Sequence, residues 1–184
     1  MPRIYLVRHG RAAASWTEDA DPDLDDVGRE QSVAVAVELA ELGPLRMVSS
    51  PLRRARSTAQ ALERIWGITA AVDPRVGEIP SPSLPLALRG RWLAGVMGAT
   101  WDDPALTDGL RAWRRGIVEA LMALPDDTVV TTHFVAINAA VGEATGDGRI
   151  TVCRPDHCSC TVMESTPNGL RLLVRGRESA TVVQ

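Results

Sequence analysis

RIYLVRHG, residues 3–10, opens the chain with a short β-forming run that stops at an arginine, a histidine and a glycine. Residues 45–49, LRMVS, give a second run of this kind, followed by Ser50-Pro51, which reads as an N-cap and N1 proline opening a helix over 51–65. Between these strands, a helix capped by Asp25 or Asp26 runs through VGREQSVAVAVELAEL to Gly43. Residues 69–72 form a third strand, and 128–132, TVVTT, a fourth core strand that leads into a helix over 134–144. Strand–helix alternation of this kind implies parallel strands in a sheet covered on both faces.

The remaining segments fit around that frame. The proline-rich patch at 74–85 reads as a long loop, and 84–97 and 105–123 have helical spacing. Two apolar runs, 159–164 and 169–175, are joined by Pro167-Asn168-Gly169, a strong hairpin signal. The whole chain, 1–184, is expected to be one domain, with 79–116 as a helical insertion or lid.

Composition narrows the function. The chain has 184 residues, 45% hydrophobic and 23% charged, with net charge −3, which argues against disorder and against non-specific nucleic-acid binding. No apolar stretch approaches a membrane span, and Ile4 to Val7 is too short for a leader core. Cys153, Cys158 and Cys160 are too few and too crowded for a disulfide framework, so a cytoplasmic protein is expected. All 20 basic residues are arginine, which excludes Schiff-base and P-loop lysine chemistry. Coding bias toward arginine accounts for most of them, but arginine is also the side chain suited to forked recognition of phosphate. Acid is concentrated at 18–30, a pattern expected of a solvated loop and helix start.

Four chemistry-bearing segments share one topological position. Arg8-His9-Gly10 ends the first strand, Arg53, Arg54 and Arg56 follow the second, Glu78 lies beyond the third, and His133 follows the fourth. Ligands of parallel α/β sheets bind just outside the carboxyl ends of the strands. Two histidines, several arginines and a carboxylate at one rim would clamp an anion best matched to phosphate. Nearby arginines keep an imidazole neutral and nucleophilic, while bound phosphate raises the pKa of a neighbouring carboxylic acid. Gly10, lacking a Cβ, lets backbone and substrate approach closely. The set describes phosphoryl transfer through a phosphohistidine without a metal.

LVRHG at 6–10, DPDLDDVGREQS at 21–32, SSPLRRARSTA at 49–59, GEIP at 77–80 and TTHFVAINAAVG at 131–142 together resemble the histidine phosphatase superfamily. The resemblance implies the phosphoglycerate mutase-like fold, a three-layer αβα arrangement with a mainly parallel central sheet. It implies His9 as nucleophile, Arg8 and Arg54 as phosphate clamp, Glu78 as proton donor and His133 as a second phosphate contact, with Gly10 and Phe134 beside the substrate. It implies no metal and no cofactor, and a small phosphate ester or phosphoprotein as substrate, with neither nucleic acid nor membrane as partner. Oligomeric state is left open.

Three features depart from the family pattern. Phe134 stands where glycine is usual and is expected to narrow the pocket, Arg11 stands where Glu, Gln or Thr is usual, and the insertion after Glu78 is short. The short insertion favours a phosphatase over a phosphoglycerate-type mutase, while Phe134 and Arg11 keep open a non-catalytic phosphate-binding or regulatory module. Arg53 and Arg56 read as a solvated face or as carboxylate partners, and Asp73, Asp102 and Asp103 are the fallback proton donors. Cys153, His157, Cys158 and Cys160 could suggest zinc, but Cys158 and Cys160 fall on one side of a predicted strand and no second ligand pair exists. Trp92, Trp101 and Trp113 read as core or lid packing.

Overall fold

The computed structural model describes residues 1–15 and 17–179; Trp16, in the 11–24 loop, and residues 180–184 lie outside the described residues. In chain order the elements are β1 (Arg3–Arg8), α1 (Asp26–Ala40), β2 (Arg46–Ser49), α2 (Arg53–Trp66), β3 (Ala71–Val72), a 3₁₀ turn (Pro74–Val76), α3 (Leu86–Met97), α4 (Asp108–Met122), β4 (Thr128–Thr132), α5 (Phe134–Thr145), β5 (Cys160–Thr166) and β6 (Gly169–Val174). The six strands form one sheet in the order β3-β2-β4-β1-β5-β6. β1, β2, β3 and β4 run parallel, and the β5–β6 hairpin adds antiparallel strands beside β1.

Strand alternation distributes the core between two faces. Ile4 and Leu6 of β1 join Val130 and the apolar faces of α4 and α5 (Ile117, Leu121, Ile137, Val141). Tyr5 and Val7 point the other way, to Val35 and Leu39 of α1 and Ala59 and Leu62 of α2. The result is the three-layer arrangement with a mainly parallel sheet that the sequence implies.

Local chemistry sets the boundaries. Asp25 caps α1, its carboxylate accepting the Gly28 N–H, and the helix ends at Ala40, three residues short of Gly43. Ser50-Pro51 was expected to cap α2 but instead forms the turn before it. Leu52 is the N-cap without a side-chain bond, and the Arg53 N–H is taken by Asp21 from the acidic loop. Asp23 pairs with Arg29, so part of the acidic run serves as caps and local ion pairs as well as a solvated surface.

The expected 79–116 insertion divides in two. α4 continues past residue 116 and buries Leu110, Ile117, Ala120 and Leu121 in the main core, whereas α3 buries only Val96. The loop at 11–24 approaches α3: a Cβ on Gly90 would stand 3.1 Å from the Thr17 methyl carbon.

Candidate active site

β1 and β4 are neighbours in register, with Arg8 opposite Thr132, so His9 and His133 leave the same end of adjacent strands. Their rings lie 5.2 Å apart between centroids, tilted by 58°. β2 flanks β4 on its other side, which brings the first turn of α2, and Arg54 with it, to the same rim. Glu78 arrives because the Thr132 hydroxyl donates to the Val76 carbonyl at 2.6 Å and so ties the 3₁₀ turn to the end of β4. Arg8, His9, Arg54 and His133 are all buried, and the Glu78 side chain is 13% exposed.

The hydrogen bonds fix the tautomer of His9 and the orientation of His133. His9 Nδ1 meets the Gly10 carbonyl at 2.8 Å; a carbonyl only accepts, so Nδ1 carries the proton. Nε2 then holds the lone pair, and Arg54 Nε donates to it at 3.2 Å. His133 Nε2 lies 2.7 Å from the Ser50 hydroxyl, whose oxygen also accepts from the Leu52 N–H. That leaves His133 Nδ1 facing Glu78 Oε2 at 3.4 Å, with Arg54 Nη2 3.6 Å from the same oxygen.

Burial and the arginines set the charges. Burial, then Arg54, His133 and Arg8, hold His9 well below the ordinary histidine range, and burial with the two arginines does the same to His133. Burial outweighs Arg54 and Arg8 in raising Glu78 above the usual carboxylate value. Arg8 drops to about 10 through burial and remains cationic at neutral pH. Three buried polar atoms in this cluster have no hydrogen-bond partner: Arg8 Nε, Arg54 Nη1 and His133 Nδ1. Buried polar atoms are normally paired, so three unpartnered nitrogens in one cluster suit it to an acceptor-rich ligand.

His9, Glu78 and His133 also place ligand atoms within 4.8 Å of one another, a spacing a metal ion could use. Arg8 and Arg54 in the same pocket repel a cation and attract an oxyanion, so the donor set fits phosphate better.

Several expected residues do other work. Gly10 cannot gain a Cβ because that atom would fall 2.5 Å from the Gly28 carbonyl oxygen of α1. Its N–H donates to the Thr58 hydroxyl, and its carbonyl accepts from His9. Phe134 is 5% exposed and lies beneath the Arg8 guanidinium, 5.3 Å from its ring centroid, so it seats Arg8 where the sequence suggested a narrowed pocket. Arg11 turns to Asp25 at 2.5 Å. Arg53 and Arg56 pair with Asp23 and Glu63, as expected of carboxylate partners. Asp73 binds Arg75, Asp102 accepts from the Thr100 hydroxyl and Asp103 accepts the Ala105 N–H, which leaves Glu78 as the carboxylate beside His133. Trp101 is buried in the core, and Trp92 and Trp113 pack against it. Cys158 lies ahead of β5 at φ 51° rather than in a strand with Cys160.

Two contributors, Thr58 and Asn138, lie within the motifs at 49–59 and 131–142, where the sequence assigns them no role. Thr58 holds the turn after His9. Asn138, fully buried in α5, accepts the Val152 and Cys153 N–H groups at 2.7 and 2.8 Å and donates to the Phe134 carbonyl, fixing the loop that leads back to Arg8.

Residues 4–82, which include Arg8, His9, Arg54 and Glu78, match the model of the histidine phosphatase superfamily (branch 1). "Probable phosphoglycerate mutase GpmB" of Erwinia tasmaniensis is 32% identical over 168 residues, 79% of this chain and 76% of that protein. A glucosyl-3-phosphoglycerate phosphatase of Mycolicibacterium vanbaalenii is 44% identical over 80 residues, 41% of this chain; the match spans only 36% of that relative's length. The native structure of a mycobacterial glucosyl-3-phosphoglycerate phosphatase superposes with a TM-score of 0.68 at 26% identity, covering 97% of this chain and all of that one.

Proposed function

The chain belongs to the histidine phosphatase superfamily, and we propose that it is a phosphomonoesterase working through a phosphohistidine on His9 without a metal. The observation that carries this reading is the set of buried, unpartnered nitrogens, Arg8 Nε, Arg54 Nη1 and His133 Nδ1, in the cluster that holds the His9 Nε2 lone pair.

A phosphate monoester supplies the missing acceptors. Its oxygens take the donors of Arg8, Arg54 and His133, and the Arg54 Nε–H turns from His9 to the substrate and frees Nε2. Nε2 attacks phosphorus as the ester P–O bond breaks, and Glu78 gives its proton to the departing alkoxide. Water then attacks the phosphohistidine, Glu78 takes back a proton, and the P–N bond breaks to release inorganic phosphate and neutral His9. The Gly10 carbonyl stabilises the cationic imidazole formed in between, because it already holds Nδ1–H.

The substrate is a small phosphorylated molecule, in keeping with the phosphatases named above. The two features that favoured a non-catalytic module have structural explanations: Phe134 seats Arg8, and Arg11 is held by Asp25. The whole chain acts as one domain, with 79–116 as its helical insertion or lid, in a cytoplasmic setting. Among the described residues no helix is long and apolar enough to cross a membrane.

The test is hydrolysis of 4-nitrophenyl phosphate with excess chelator present. The wild type is expected to turn over undiminished by the chelator, and His9→Ala to be inactive. Equal turnover by His9→Ala would remove His9 as nucleophile.

A further inference from the structure

The chain has a third histidine, His157, that the mechanism above does not use. Its ring stands 5.9 Å from that of His9, centroid to centroid and tilted by 53°, so His9 has two imidazoles within 6 Å. His133 is wholly buried, whereas His157 is partly exposed.

The loop that carries His157 is firmly held. The Arg8 guanidinium donates to the Pro155 carbonyl at 2.9 Å, the Cys158 N–H to the Arg8 carbonyl at 3.0 Å, and the Asp156 N–H to the Arg177 carbonyl at 2.8 Å. The Asp156 carboxylate accepts the His157 N–H itself. The backbone is therefore anchored to the clamp arginine, while the ring nitrogens of His157 make no hydrogen bond among the described residues. Nothing in this arrangement requires an imidazole for the fold.

The charges around the ring indicate what it would bind. Arg8 and Arg11 lie on one side of the balance and Asp25 and Asp156 on the other, and Arg11 is already tied to Asp25. Burial, followed by Arg8, brings His157 down to about 4, so at neutral pH it is an uncharged imidazole with one donor and one acceptor. With Arg11 paired to Asp25, and Asp156 offset by Arg8, the ring has no unopposed charge beside it, and a hydroxyl matches a neutral donor–acceptor pair.

We propose that His157 is a specificity residue: its free ring beside His9 hydrogen-bonds a hydroxyl on the alcohol portion of the substrate, and the preferred esters are hydroxyl-bearing, polyol-type phosphates. This rests on the phosphatase reading. His9, Arg54 and Glu78 perform the chemistry for any monoester, and His157 separates a hydroxyl-bearing alcohol from a plain one. A site built to pair a hydroxyl discriminates against esters that lack it, because its polar group is then left unpaired.

The experiment compares kcat/KM for glycerol 2-phosphate and phenyl phosphate in the full chain, using the wild type, His157→Ala and His157→Gln. His157→Ala is expected to lose about tenfold or more on glycerol 2-phosphate and to stay within about threefold on phenyl phosphate. His157→Gln, which keeps a donor and an acceptor, is expected to recover most of the loss. Equal losses on both esters would reduce His157 to a structural support of His9, and no loss on either would remove it from the site; each overturns the proposal. If the wild type hydrolyses neither ester, the phosphatase reading itself falls, a result distinct from a wild type active on both with an unchanged ratio in the variants.

Discussion

Arg54→Lys tests whether the fork of the guanidinium, rather than its charge, does the work. Arg54 directs three nitrogens to three tasks: Nε to His9 Nε2 at 3.2 Å, Nη2 toward Glu78 Oε2 at 3.6 Å, and Nη1 buried without a partner. A lysine ammonium keeps the charge but sits at a single point, so it retains one of these and forfeits two. Charge-assisted hydrogen bonds contribute about 1.5–3 kcal/mol each, so losing two in the transition state costs about 3–6 kcal/mol, a fall of roughly 10²–10⁴ in kcat/KM. The neighbouring Arg53 is the control. Its side chain is 61% exposed and 3.8 Å from Asp23, so Arg53→Lys should stay within about twofold. The assay is steady-state hydrolysis of 4-nitrophenyl phosphate, with competitive inhibition by inorganic phosphate reporting ground-state binding. If Arg54→Lys falls within threefold of the wild type, or Arg53→Lys falls as far, the forked clamp is refuted.

Glu78 must be protonated to act as acid, and its pKa is raised by burial, while His9 must be neutral and its pKa is pushed down. Activity is therefore present at acidic pH and lost as pH rises through the pKa of Glu78, with no loss from His9 protonation until far below 6.5. The kcat profile on an alkyl phosphate shows this without the substrate's own second ionisation near 6, and a kcat that rises through pH 7 would contradict it. Gly10→Ala drives a Cβ against the Gly28 backbone and should destabilise the fold by about 1–3 kcal/mol, whereas Gly116→Ala in α4 meets nothing within 4 Å and should stabilise by about 0.4–1 kcal/mol; thermal denaturation distinguishes them, and equal melting points would be the contrary outcome. Asn138→Ala strands one buried and one part-buried N–H group and should cost about 2–4 kcal/mol, roughly 5–15 °C in Tm, so an unchanged Tm would remove Asn138 as the anchor of the 151–159 loop.

The framework was legible because it is periodic and local. Strand–helix alternation predicted the parallel sheet, and residues that terminate strands were predicted to share one rim; Arg8, His9 and His133 do so by the register of β1 against β4. Asp25 could be read as a cap because a cap acts on residues three positions away. What escaped the reading joins residues far apart in the chain. Ser50 was expected to cap α2, but its hydroxyl bonds His133, 83 residues on. Gly10 was explained by substrate because nothing local reveals that α1 returns across it at Gly28. His157 was grouped with neighbouring cysteines in a metal-like tract, whereas the fold turns it toward His9.

Burial of the site carries a cost that its chemistry uses. Arg8 and Arg54 are nearly inaccessible to solvent, and each leaves a nitrogen unpaired, so the ligand-free fold holds two incompletely satisfied guanidinium groups beside two imidazoles. Such groups destabilise a protein, since each lost hydrogen bond in the interior retains its desolvation cost. The same burial favours function in two ways. Burial, with Arg54, His133 and Arg8 beside it, keeps His9 unprotonated, and in the proposed reaction a bound phosphate supplies acceptors to Arg8, Arg54 and His133 together. Ligand binding must then stabilise the protein by more than a surface anion site would. Phe134 limits the cost at Arg8 by offering a π face to a guanidinium largely withdrawn from water.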